Sequence, residues 1–207
     1  MVTERLSKEQ RRGKLLDAAR RIFGKKGYRA TEVNELAADA GVTRPILYRH
    51  FPGGKREVFS TILQEHIDEL MRSLYEAMGS ASKARERIHR GLLAYLAFAE
   101  ERPEGFRLLT AISDDDDDDG VGLADYRDQL VGAIESTIAS VMKDADLDPD
   151  GAAVYAHTLL GGVESVVAWW LKTKTMDRDE LANHLLAFTW RGFDGLPKQP
   201  GRFGFKV

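Results

Sequence analysis

Apolar residues recur at spacings of three and four along most of the chain, the period of amphipathic helices and not of strands. The first such run is Leu15, Leu16, Ala19, Ile22 and Phe23. Ser7 with Gln10 forms a capping-box pattern at its start and Gly27 stands at its end, which predicts a helix to about Lys26. The next stretch, Thr31 to Phe51, divides into two short helices. Thr31 has the chemistry of an N-cap, and Val33, Leu36, Ala37 and Ala40 follow on one face. Gly41 permits a tight turn, Thr43 caps the second helix, and Pro45 sits in its first turn, where a missing N–H costs nothing. Val42, Leu47 and Phe51 then face the first helix, leaving Arg44, Pro45, Ile46 and Tyr48 outward.

Pro52-Gly53-Gly54 breaks the chain, and Lys55 opens a long helix to about Met78, with Val58, Phe59, Ile62, Leu63, Leu70, Met71, Leu74 and Tyr75 at helical spacing. Ser82 to Glu101 forms another, burying Ile88, Leu92, Tyr95, Leu96 and Ala99; Pro103 stops it and opens a short helix from Glu104 to about Ala111. Leu123 to Lys143 follows through Tyr126, Leu130, Ile134, Ile138 and Val141. Asp148-Pro149-Asp150 is a start signal for the most apolar helix, which reaches about Lys174 and carries the Gly161-Gly162 and Trp169-Trp170 pairs. Asp177 with Glu180 opens the last helix, through Leu181, Leu185, Phe188 and Phe193. No strand-like alternation of convincing length and no internal repeat occurs, so the predicted fold class is all-α: a three-helix head and a larger helical body. The predicted boundaries are 1–54 for the head, 55–195 for the body and 196–207 for a glycine- and proline-containing tail.

Charge sharpens that division. Residues 1–60 hold fourteen Lys and Arg against seven Asp and Glu, while the remainder holds sixteen against twenty-six, although the whole chain is only −3. A basic head on an acidic body directs nucleic-acid contact to the head. The absence of cysteine excludes disulfides and thiolate metal sites and fits a reducing cytoplasm. The polar Met1 to Gly13 segment is unlike a secretory signal. Gly151 to Leu171 approaches membrane-span length, but His157 and Glu164 inside it favour a buried helix and no membrane partner. The six consecutive aspartates Asp114 to Asp119 lack the spaced ligands of a cation loop, and self-repulsion predicts a solvated run.

Two short helices with a glycine turn make a helix-turn-helix, whose second helix reads the major groove of double-stranded operator DNA. Arg44 and its neighbours Thr43, Pro45 and Ile46 are expected at base edges, and Thr31, Tyr48, His50 and Lys55 at phosphates. A plain helical hairpin is the alternative; an outward face carrying Arg44, Tyr48, Arg49 and His50 argues against it. The segment GKLLDAARRIFGKKGYRATEVNELAADAGVTRPILYRHFPGGKREVF resembles the N-terminal domain of the TetR family of bacterial transcriptional regulators. One departure is the extra residue between Phe51 and Lys55. The resemblance implies a homodimer joined by its last two helices as a four-helix bundle, a long helix linking body to head, and repression relieved by a small molecule.

The two apolar helices near the C-terminus offer more apolar surface than one core needs, which also predicts a homodimer. Tyr95, Phe98, Phe106, Leu109, Tyr126, Leu130 and Trp169 are expected to line an apolar ligand cavity, with His157 and Glu164 as its polar groups. Each singly is also an ordinary core residue, and Glu164 needs a partner wherever it lies. Few polar groups and no concentrated positive charge favour a hydrophobic ligand with a small polar end. PEGFRLL followed by GGVESVVAWWL resembles, weakly, family members that sense fatty acids or acyl-CoA; planar aromatic inducers and a ligand-free architectural DNA-binding protein are the alternatives. The five histidines are scattered and no HExxH, GxSxG, GxGxxG or P-loop occurs, so neither an enzyme nor a cofactor is expected. Glu65, His66 and Glu69 could be drawn as a metal cluster, but their spacing suits the rim of an amphipathic helix better.

Overall fold

The computed structural model describes residues 7–79, 81–110, 123–144 and 148–194, with the backbone alone at 123–126, 144, 193 and 194. The aspartate run and the C-terminal tail lie outside the described residues. Within them the regular elements are helices: α1 (Lys8–Lys26), α2 (Val33–Asp39), α3 (Arg44–His50), α4 (Gly54–Gly79), α5 (Ala84–Glu101), α6 (Pro103–Thr110), α7 (Leu123–Asp144), α8 (Ala152–Thr173) and α9 (Arg178–Asp194). The all-α class and the helix-turn-helix head with a larger helical body are as the periodicity predicts.

The caps agree in part. Ser7 accepts from the Gln10 amide at 3.1 Å while Gln10 Oε1 accepts from the Ser7 amide at 2.7 Å, a complete capping box. The N-cap of α2, however, is Glu32 paired with Glu35, not Thr31. Thr43 holds the N-cap position of α3 without a side-chain bond to it. Asp148 accepts from the Asp150 amide at 3.0 Å, which closes a single 3-10 turn at Pro149–Gly151 and delays α8 to Ala152.

The chain packs into two compact units, and the division differs from the expected boundary after Gly54. The first contains α1, α2, α3, the part of α4 through Asp68, and α6 from Glu104. Its core explains why the start of α4 belongs there: the Phe59 ring meets Phe23 edge-on at 4.9 Å and Tyr28 at 4.7 Å, and Phe23, Phe51, Phe59, Leu36 and Leu47 are buried. Small residues bring α6 in. A Cβ on Gly24 would meet Glu104 Cγ at 2.6 Å, and one on Gly105 would meet His66 Nδ1 at 2.8 Å. Ion pairs Arg21–Asp39 at 2.6 Å and Lys26–Glu35 at 2.5 Å tie α1 to α2.

The second unit holds α4 from Glu69, α5, α7, α8 and α9. Helix α5 buries Ile88, Leu92, Tyr95, Leu96, Phe98 and Ala99 and packs against α8 and α9. Trp170 is 1% exposed, its indole donates to the Met176 carbonyl at 2.8 Å, and Lys174 lies 4.0 Å over its ring while pairing with Glu100 at 2.9 Å. Those bonds fix the turn between α8 and α9. Among the described residues no helix is long and apolar enough to cross a membrane. Phe59→Ala should lower the stability of the first unit by about 3–5 kcal/mol, read as a lower urea midpoint, because it removes a buried ring packed against Phe23 and Tyr28 and leaves a cavity in its place.

Candidate functional site

The outward face of α3 is built by its own period. Leu47 is wholly buried, and Thr43, Arg44, Pro45, Tyr48 and Arg49 are exposed with Ile46 half-buried. The Arg44 guanidinium lies 5.9 Å from the Tyr48 ring centroid. Tyr48 in turn rests on Gly54, whose φ is +64° and where a Cβ would come 2.9 Å from the ring. Gly54 therefore does more than break a helix: it leaves room for Tyr48 and turns the chain into α4, and the Gly53 amide donates to Glu57 at 2.7 Å beside it. This is how the extra residue before Lys55 is accommodated. The sequence signal was the glycine pair itself.

Two residues expected at phosphates are engaged within the fold. Thr31 is fully buried and its hydroxyl donates to the Gly27 carbonyl at 2.7 Å, so it offers nothing to the surface. The Lys55 ammonium donates to the carbonyls of Tyr28 at 3.2 Å and Thr31 at 3.0 Å and lies 4.3 Å over the Tyr28 ring. It pins the start of α4 to the loop between α1 and α2. His50, at the end of α3, has both ring nitrogens buried without a hydrogen-bond partner. Its pKa is held below the usual histidine value, first by burial and then by the charges of Arg49, Arg11, Lys8 and Arg12; Glu9 is the carboxylate it feels.

The second unit holds a cavity of about 510 Å³ that is partly open to solvent, with Tyr75 66% exposed at it, within the roughly 300–1,000 Å³ range of small-molecule sites. Met71, Leu74, Tyr75 and Met78 of α4 form one wall, Ile88, Leu92 and Tyr95 of α5 another, with Leu130, Ile134 and Ile138 of α7 and Leu160 and Val163 of α8 completing it. Of the expected lining residues, Tyr95 and Leu130 are there. Phe98 is buried elsewhere in the same unit, whereas Phe106 and Leu109 belong to the core of the first unit, because α6 packs with α1 and α4. His157 is exposed and Trp169 is 46% exposed, both on the outer face of α8; the Tyr126 side chain lies outside the described residues. Glu164 has found its partner: the Arg127 guanidinium donates to both its carboxylate oxygens at 3.2 Å, joining α7 to α8. The α4 wall and Arg87, also at the cavity, were not anticipated, since an apolar stripe reads alike whether it lines a core or a cavity.

Residues 15–62 match the tetR family of bacterial regulatory proteins, and residues 73–201, more than half of the chain, match the tetracyclin repressor-like C-terminal domain. The chain belongs to the TetR family. It is 37% identical over 105 residues to the HTH-type transcriptional activator FasR of Mycolicibacterium smegmatis, a match covering 51% of this chain and 48% of FasR. The chain thus spans about half the length of that relative. It is 30% identical over 146 residues to the nucleoid occlusion factor SlmA of Pectobacterium carotovorum, covering 69% of this chain and 71% of SlmA. A TetR-like regulator from Rhodococcus sp. RHA1 superimposes with a TM-score of 0.77 at 25% identity, over 92% of this chain and 100% of that one. The fatty acid degradation regulator FadR of Bacillus halodurans shares the fold, with a TM-score of 0.73 at 15% identity over 87% and 98%.

This TetR-family protein is accordingly a helix-turn-helix transcription regulator by family, as FasR and the Rhodococcus protein are by name. Glu65, once a conceivable metal ligand, pairs with Arg20, and Glu69 pairs with Arg102 at 3.0 Å. Among the described residues no group of three or more potential ligands could hold a metal ion.

Two predictions follow from the head. Gly54→Ala should destabilise it by about 1–2 kcal/mol from the left-handed backbone alone, with a further loss as Tyr48 is displaced, measured by urea unfolding. A histidine whose folded pKa is depressed contributes stability above its ordinary value near 6.5 that is lost as pH falls through the folded value. The wild type should therefore lose unfolding midpoint between about pH 7 and about pH 5, and His50→Gln should lose less over the same interval.

Proposed function

We propose that this TetR-family chain is a homodimeric regulator that occupies operator DNA in the bacterial cytoplasm and leaves it when a hydrophobic small molecule fills the cavity. The observation that carries the ligand-responsive part is the cavity itself: about 510 Å³, walled by methionine, leucine, isoleucine and tyrosine, and shared among four helices. Two of its wall residues, Met71 and Met78, are flexible enough to shape themselves around a chain-like ligand. A fatty acyl chain fits this lining, each buried CH₂ contributing roughly 0.8 kcal/mol. Helix α4 supplies one wall of the cavity from its second half, while its first half is anchored by Phe59 and Lys55 in the head. A ligand that shifts the second half of α4 thereby acts on the element that holds α3. The coupling is reciprocal, so operator DNA must weaken ligand binding by the same factor.

On the DNA side, Arg44 with Thr43, Pro45 and Ile46 reads base edges, and Tyr48 holds phosphate. Lys55 and Thr31 act by positioning, and His50 adds charge only when protonated among Lys8, Arg11 and Arg12. The dimer forms through the outer faces of α8 and α9. These leave Phe188 83% exposed, Val154 65% and Trp169 46%, with the open backbone of Gly161 and Gly162 between them. Val167, by contrast, is wholly buried in its own unit.

The likeness to SlmA, a nucleoid occlusion factor and not by name a transcriptional regulator, leaves a second reading, an architectural DNA-binding protein without a ligand. The likeness to the activator FasR favours activation over repression. A ligand cavity of this size argues against the first, and an operator-reporter fusion with and without inducer separates repression from activation.

Arg44→Ala should cost about 1–3 kcal/mol on the cognate operator and relax its sequence preference, measured by fluorescence anisotropy. Phe188→Asp should give a folded monomer in analytical ultracentrifugation, whereas Val167→Asp should unfold the second unit. Titrating operator-bound protein with fatty acids of increasing length should release DNA at decreasing concentration; release by polyaromatic dyes with no response to the acyl series would overturn the lipid reading.

A further inference from the structure

We propose that Arg87 is the headgroup anchor of the cavity, and that the ligand is accordingly a free long-chain carboxylic acid and not its ester or coenzyme A thioester. The inference rests on the lipid reading above and adds the chemistry of the polar end. Among the described residues Arg87 is the sole charged one of the cavity lining; the other residues there with polar groups are Ser136, Thr137, Tyr75 and Tyr95. It is half-buried, and no hydrogen bond or ion pair reaches its guanidinium among the described residues. The adjacent carboxylate, Glu86, is taken by Arg90 at 2.5 Å. Thr137 already gives its proton to the Ala133 carbonyl at 3.0 Å.

Position adds direction. Arg87 is the first residue that α5 contributes to the lining and Tyr95 the last, eight residues or roughly 12 Å further along the helix. The cation thus stands at the N-terminal end of the apolar stripe that α5 contributes to the lining. A guanidinium at the end of such a stripe matches a carboxylate in charge and in its two-donor geometry. An ester offers no charge to it. A coenzyme A thioester has no carboxylate at the chain end and brings several phosphates, for which the lining holds one cation.

The test is isothermal titration calorimetry of the full chain with dodecanoic acid, methyl dodecanoate and dodecanoyl-coenzyme A, each below its aggregation concentration. Wild type should bind the acid about tenfold or more tighter than the ester, the range of a charge-assisted bond. Arg87→Gln should bring the acid down to the ester and leave ester affinity unchanged, and Arg87→Lys should retain part of the preference. Thermal melts show whether each variant is folded, and the wild-type comparison stands without them. Equal binding of acid and ester by wild type, thioester binding as tight as the acid, or a preference that survives in folded Arg87→Gln would each overturn the anchor while leaving an acyl-binding cavity intact. Failure of all three compounds, with dyes still binding, would overturn the anchor and the lipid reading together.

Discussion

The three-ring cluster of Phe59, Phe23 and Tyr28, in which Phe59 meets Phe23 edge-on, is the constraint on which the head depends. It places the start of α4 against α1, and Lys55 reinforces that placement by bonding the two carbonyls at the ends of the Tyr28–Thr31 turn. With α4 so anchored, Gly54 delivers the chain from α3, and Tyr48 finds its seat on that glycine. The orientation of Arg44 beside Tyr48 is the last step of a sequence of contacts that begins in the aromatic core. Removing a ring at the start is therefore felt at the surface that faces DNA.

Much of this was legible beforehand. The capping box at Ser7, the glycine turn at Gly41 and the buried stripe ending in Phe51 follow from side-chain chemistry within a few residues, and those elements appear where that chemistry puts them. Thr31 shows the limit. A threonine before a helix satisfies the local rule for an N-cap, yet Glu32 with Glu35 satisfies it better, and the threonine hydroxyl turns back to Gly27. Local rules state what a residue is able to do, and competition among neighbours decides what it does.

The cavity was less legible for a related reason. Phe106 and Leu109 sit on a helix whose apolar face would serve either unit, and only Gly24 and Gly105, by yielding space to Glu104 and His66, show which. Trp169 and Trp170 are chemically identical neighbours; the helical rotation between them puts one outside and one inside. Glu164 invited a functional role because an isolated carboxylate in an apolar helix is costly. Its partner is Arg127, thirty-seven residues away, which no local pattern reveals.

That tryptophan pair has an optical consequence. Trp170 is sealed, hydrogen-bonded through its indole and overlaid by an ammonium group, so its emission reports the integrity of the α8–α9 turn. Trp169, one residue earlier, is bathed by solvent on the face where a second copy would dock. Adjacent chromophores a hundred degrees apart on one helix thus stand in two environments, and Trp190, half-buried on α9, is a third emitter. Once Trp169 and Trp190 are replaced, the light that remains comes from the sealed indole alone and reads the closure of that turn.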